Sequence, residues 1–367
     1  VMPTNAPTEV TPNNSQTSPR SRTVGFGVFA LLVLLLALAF VVSLSLGSVS
    51  IPLREVVRIL TGEPALKESW GTIVLDFRLT KSITAVLVGA ALSLAGLQMQ
   101  TMFRNPLADP FILGINSGAS LGVALVVLSL GTAGTALLAG LGTLGDLSLA
   151  LAASVGAGLV LALILLVGQR VKNPTTLLIM GLMFGYAASA LTSLLIYFSR
   201  PERIQAYTIW SYGSFSGVTW NQLRVMAPVI LVGLGVAVLL TKPLNALLLG
   251  EDYARSMGLN VKHARFFILL SASLLAGTVT AFCGPIGFIG VAVPHLCRNL
   301  LRSADHKVLI PAVILVGAIA ALVADAIAQL PGSQYVLPIN VVTSLFGAPF
   351  VIWVLIRQRR GATSFTV

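Results

Sequence analysis

Charge is the first thing this sequence lacks. Asp, Glu, Lys and Arg make up 10% of its 367 residues, and 56% are apolar, whereas soluble domains carry roughly 25% charged residues. So few charges cannot cover a globular surface, which excludes an ordinary water-soluble domain. Cysteine is nearly absent too. Cys283 and Cys297 fall in apolar runs and read as small apolar side chains, not as a disulfide or metal pair. The three histidines, His263, His295 and His306, stand at the ends of apolar runs and would form a metal site only through a folding coincidence. No H-E-x-x-H, C-x-x-C or lysine-bearing phosphate loop occurs, so the chain is not expected to be an enzyme. Acids inside apolar runs are scarcer still. Asp325, at the outer end of one run, is the one candidate, and it reads as a partner at a helix end. Without a chain of buried carboxylates there is no proton relay, which disfavours a stand-alone channel or an ion-coupled secondary carrier.

What is abundant is long apolar sequence. A membrane span needs about 20 apolar residues. Spans are predicted at 24–46, 82–101, 111–131, 147–168, 176–198, 225–241, 264–283, 286–301, 307–328 and 336–356. The fold class is therefore all-α, a polytopic membrane protein of about ten transmembrane helices. Residues 1–23, rich in Pro, Thr, Asn and Ser, read as a disordered N-terminal tail, 24–357 as the transmembrane domain and 358–367 as a C-terminal tail. The run at 24–46 is too long for a signal-peptide core and reads as a membrane anchor.

Lys and Arg set the orientation. With the N-terminus inside, the cytoplasmic segments hold 15 of the 23 cations and the outer segments hold 8, which places both termini in the cytoplasm. The net charge of +11 then follows from the inner loops, with no nucleic acid implied. Five of the eight outer cations crowd into residues 47–81. Arg54 and Arg58 lie on PLREVVRIL, which reads equally as a helix lying on the bilayer or as a docking surface for an acidic partner. Arg78 and Lys81, at the mouth of the second span, suit docking. Glycine is heavy, at 34 residues, and small residues let membrane helices pack closely. CGPIGFIGVAVPH (283–295) holds two prolines and three glycines, so an unbroken helix is not expected there.

One stretch interrupts the apolar pattern. In LLLGEDYARSMGLNVKHARFF (247–267), six charged or titratable residues lie between two spans. Gly250 is placed to cap a helix, and Glu251 and Asp252 suit its positive first turn. Arg255 stands four residues after Glu251, the favoured pairing order, and Gly258 fits a left-handed stop. Asn260 then starts a second short helix, 261–265. The pattern predicts two stubby helices, about 250–265, projecting into the cytoplasm.

Several ordered blocks match a known family. RLTKSITAVLVGAALSLAGLQMQTMFRNPLADPFILGINSGASLG (78–122), LGEDYARSMGLNV (249–261), GPIGFIGVAVPHLCRNLLRSADHKVLIPAVILVGA (284–318) and LPINVVTSLFGAPFVIWVL (337–355) resemble the FecCD/BtuC family, the permease subunits of type II ABC importers for ferric siderophores, haem and cobalamin. The resemblance implies the BtuC-like ABC permease fold in the bacterial inner membrane. It implies a homodimeric or heterodimeric path, a cytoplasmic ABC ATPase dimer below and a periplasmic substrate-binding protein above. ATP and magnesium would sit on the ATPase, and no cofactor on this chain. Gly250, Glu251, Ala254 and Gly258, with Arg255 beside them, match the segment that couples to the ATPase. Arg78 matches a cation that meets acids of the binding protein, and Lys81 replaces an arginine there. Gln329 stands where a third cation is common. Asn105 and Leu107 match the cytoplasmic constriction, and Thr175 a polar gate residue, although Pro174 departs from the pattern. Ferric siderophore is the commonest cargo of such chains, with haem or cobalamin as alternatives on the same scaffold.

Overall fold

Apolar runs become helices in lipid because the backbone N–H and C=O groups find no partner there except one another. The computed structural model describes residues 26–47, 49–130, 147–168, 170–171, 174–329 and 336–362. The expected tail at 1–23 lies outside them. Among the described residues the chain is helical throughout, with no strand.

The first span is α1 (Phe26–Ser45). A short connecting segment follows, with α2 (Leu53–Leu60) and α3 (Glu68–Thr72). A π-helical turn, Ile73–Arg78, leads without a break into α4 (Leu79–Met102). The third span is composite: a 3₁₀ turn at Pro110–Leu113, then α5 (Ile115–Ala124), then a π turn at Leu125–Leu130. Next come α6 (Ser148–Gly168), α7 (Pro174–Tyr197), the short α8 (Pro201–Ser211) and α9 (Trp220–Leu239). Two short helices, α10 (Thr241–Leu248) and α11 (Glu251–Ser256), precede α12 (Val261–Cys283). The chain closes with α13 (Ile289–Leu301), α14 (His306–Ala328) and α15 (Ile339–Ala362).

Seven of these helices are long and apolar enough to cross a membrane. The other three expected spans are present in altered form. Span three bends at Gly114, which adopts φ +75°. Span eight is cut back to α13, because residues 284–288 leave the helix after Cys283, as the Pro/Gly pattern predicts. In α15 the apolar stretch Ile339–Trp353 is shorter than the full-length spans, and Arg357, Arg359 and Arg360 follow in sequence.

The layout centres on α4, which buries 20 of its 24 residues, whereas α1 buries three of 20. Around α4 pack α9, α12, α13 and α14. The closest approaches run through glycine. A Cβ on Gly89 would collide with the Gly317 carbonyl of α14, and one on Gly96 with the Gly290 carbonyl of α13. Ser93 then donates to the Val313 carbonyl of α14 at 2.7 Å. Backbones meet here because no side chain stands between them, as expected where lipid gives no hydrophobic drive for association. The outer faces stay apolar. On α6, Leu151, Val155, Leu159, Leu163 and Leu166 are exposed along one stripe, at the spacing of one helix face.

Candidate functional site

The charged segment 247–267 forms a peg between α9 and α12. Gly250 holds φ +113° and Gly258 φ +84°, both left-handed positions where an L side chain is strained. After α11, the Gly258 N–H bonds to the Arg255 carbonyl (2.9 Å) and the Leu259 N–H to the Ala254 carbonyl (3.0 Å). These are the two bonds of a Schellman stop. Glu251 pairs with Arg255 at 3.5 Å, and Asp252 with Arg255 at 3.2 Å. Glu251 also accepts from Arg265 on α12.

The sequence reading requires one correction here. Residues 261–265 are not a second stubby helix but the first turns of α12. The Asn260 side chain caps them by accepting from the His263 N–H at 3.2 Å. The helix does not stop because Ala264, Ile268, Leu269 and Ala272 continue a buried face into the span. The peg is therefore α10 and α11, braced against the root of α12.

Its inward and outward faces differ. Ala254 is fully buried, and Glu251 turns inward to Arg265. Leu249 (62%), Tyr253 (53%) and Met257 (61%) are exposed, four apart in the sequence. These three are absent from the sequence-derived set. Their spacing is visible in the sequence, but which face points out depends on how α11 rests on α12. Exposed apolar side chains grouped on a surface are found where proteins or membranes make contact.

The peg is tied to the neighbouring ends of the central spans. Arg104, at φ +49°, donates to the Leu248 carbonyl at 3.1 Å, satisfying one of the open acceptors at the end of α10. Its guanidinium lies 3.0 Å from where a Cβ on Gly250 would stand. Next to it, Asn105 closes a turn by accepting from the Leu107 N–H at 3.0 Å. Leu107 is exposed. Thr175 sits exposed on the first turn of α7. From α10, Asn245 accepts from the His306 N–H (2.9 Å), contacts its Nδ1 (2.8 Å), and donates to Asp305 (2.7 Å). His306 Nε2 meets Thr101 of α4 at 2.8 Å. Asp305 also caps α14, accepting from the Lys307 N–H at 2.9 Å, and that bond holds its carboxyl below the usual range.

Asp109 lies between α4 and the 3₁₀ turn and accepts from the Phe111 N–H at 2.8 Å. Burial against the start of α13 pushes its carboxyl up to about 6, because a charged carboxylate there loses its hydration.

At the opposite end, the four predicted docking cations divide. Arg78 is buried, and its guanidinium donates to the carbonyls of Leu44 (2.9 Å), Ser45 (3.0 Å) and Val49. It closes the C-terminal end of α1, where open carbonyls attract a cation. Lys81 is buried against Asp325 of α14 at 3.0 Å, and Gln329 donates to the same carboxylate at 2.7 Å. Both cations are committed inside the chain and present no free charge to the surface. Arg58 is held by Glu55 (3.2 Å) and Glu63 (2.9 Å), and the Glu63 hydrogen bond raises its pKa. Arg54 is exposed. The amphipathic α2 buries Val56 and Ile59 and exposes Leu53, Val57 and Leu60.

Comparison with known proteins bears on this arrangement. Residues 35–357 match the model of the FecCD transport family. The chain is 38% identical to the vitamin B12 import system permease protein BtuC of Klebsiella pneumoniae over 340 residues, 93% of this chain and 95% of that protein. It is also 38% identical to the protein of the same name from Citrobacter koseri, over 78% of this chain and 84% of that one. A solved structure described as an inward-facing metal-chelate type ABC transporter superposes with a TM-score of 0.78 at 30% identity, covering 90% of this chain and 99% of that one.

Proposed function

The chain belongs to the FecCD transport family, as a permease subunit of BtuC-type ABC importers, and from that premise we propose that α10 and α11 are where a cytoplasmic ABC ATPase docks and drives it. The observation that carries this is the exposed row Leu249, Tyr253 and Met257 on a peg anchored by Glu251, Ala254 and Arg265. Gly250 and Gly258 shape the peg, and Arg255 joins its two acids. ATP and magnesium are bound by the ATPase. The chain lies in the bacterial cytoplasmic membrane with both termini inside, and a second permease protomer completes the path.

The links from the peg to α4 and α14, through Arg104 and Asn245, carry its displacement into the spans. Asn105 and Leu107 sit on the loop that moves first, with Thr175 on the wall of the inner gate. At the outer side a binding protein meets α2 and Arg54, on a platform that Arg78 and Lys81 hold in place. The cargo is a bulky metal chelate. A ferric siderophore is the first reading, as the commonest cargo of the family that the chain resembles, with haem on the same scaffold as an alternative. Cobalamin is the second reading, favoured by the 38% identical relatives, which are vitamin B12 import permeases.

The test is uptake into proteoliposomes containing the chain, its ATPase and its binding protein. Labelled cobalamin and labelled ferric siderophore are offered in turn. ATP-dependent accumulation of one of them is expected. Accumulation without the ATPase contradicts the reading.

A further inference from the structure

Beside the peg lies a cavity of about 470 Å³ with two kinds of lining. Its lining includes the basic Arg170, Lys262 and His263 together with the apolar Leu165, Phe266 and Leu269. Arg255 and Arg265 also reach it. Both are engaged already, by Glu251 and Asp252, and Arg265 also donates to the Val171 carbonyl at 3.2 Å. Arg170 and Lys262 differ. Among the described residues, neither has a carboxylate within salt-bridge reach. Four cations thus face two carboxylates, and the excess falls on the two residues at the open rim.

We propose that this cavity holds the phosphate headgroup of an anionic phospholipid from the cytoplasmic leaflet. The proposal rests on the reading that the peg faces the cytoplasm. Like-signed cations gathered without counter-charges repel one another, and a phosphate removes that cost while accepting several charge-assisted hydrogen bonds. Basic pockets at the inner ends of membrane helices suit such headgroups. The apolar lining selects the source. A free phosphate would leave the half-buried Leu165 and Phe266 wet, whereas a phospholipid covers them with its glycerol and first methylenes. Its acyl chains then continue along the exposed stripe of α6, which starts at Leu166 beside the cavity and runs through Leu163 and Leu159. Because Arg255 belongs to both the cavity and α11, an occupied cavity also braces the peg. The lipid is therefore a structural ligand of the coupling segment.

Native mass spectrometry of the full chain, with phosphatidylglycerol or phosphatidylcholine titrated in, tests this. The wild type is expected to retain phosphatidylglycerol in preference, and Arg170→Ala with Lys262→Ala to lose that preference by about tenfold. The paired control, Arg224→Ala with Arg302→Ala, removes the same charge from exposed positions outside the peg and the cavity and should keep it. Equal retention of both lipids by the wild type, or an unchanged preference in the Arg170/Lys262 variant, overturns the proposal. Displacement of the lipid by millimolar inorganic phosphate would also overturn it, in favour of a soluble anion. Sidedness is read separately, by labelling Ser256→Cys with a membrane-impermeant thiol reagent in right-side-out vesicles. Labelling from outside would reject the cytoplasmic reading while the lipid titration still reports on the cavity.

Discussion

At the scale of single residues, several of the chain's few charges are held inside it. The buried Lys81–Asp325 pair is the clearest case. Removing one partner leaves the other charge in a low-dielectric site, at a cost of about 3–5 kcal/mol. Lys81→Met is therefore expected to lower the unfolding temperature in detergent strongly, and Lys81→Met with Asp325→Leu to recover most of the loss. If the double variant is as unstable as the single one, the pair is not what holds these ends together. Asp109 gives a pH signature. Its folded pKa near 6 lies above the ordinary 3.8, so the fold favours the protonated form. The stability it contributes is complete below about pH 4 and lost as pH rises through 6, a swing of about 3 kcal/mol. Asp109→Asn keeps the acceptor for the Phe111 N–H and should flatten that decline. A wild-type stability profile level from pH 4 to 6.5 contradicts the assignment. The sequence made Asp325 legible as a helix-end partner, since an acid at a span end needs one. It did not reveal that Arg78 faces inward, because its acceptors are carbonyls at and just after the end of α1, 29 to 34 residues away.

At the scale of elements, the peg was largely legible. Gly250, the two acids, Arg255 and Gly258 fix a one-and-a-half-turn helix by local chemistry alone, and α11 follows that plan. The extent of the next element was not, since Asn260 caps a short and a long helix alike and only tertiary burial decides between them. The broken eighth span was also readable, because proline and glycine act locally. The outward row Leu249, Tyr253 and Met257 required the structure. A test of the element itself is Gly258→Val. The left-handed position should cost on the order of 1–2 kcal/mol and unseat α11, while the bundle, which does not touch Gly258, keeps its unfolding temperature within a few degrees. The readout is binding-protein-stimulated ATP hydrolysis, expected to fall. A bundle that melts cooperatively with the peg would show that α11 is part of the core.

At the scale of the whole molecule, α4 and α14 behave as one strut. They are joined at the outer end by Lys81–Asp325, in the middle by Gly89–Gly317 and Ser93, and at the inner end by Thr101–His306. The inner end is also where the peg is attached, through Asn245 and Arg104. Gly89→Leu forces the two backbones apart and should cost about 3 kcal/mol, with transport lost even where protein survives. Normal transport by that variant would mean the strut does not transmit motion. The central claim, that work enters at the outward face of the peg, is tested most directly by ATP hydrolysis in proteoliposomes carrying the ATPase and the loaded binding protein. Tyr253→Asp with Met257→Asp alters two exposed side chains and leaves the anchoring residues intact. The account expects the stimulated rate to fall at least about tenfold, the equivalent of 1.4 kcal/mol or more of docking energy, with the unfolding temperature unchanged. A stimulated rate equal to that of the wild type would contradict it.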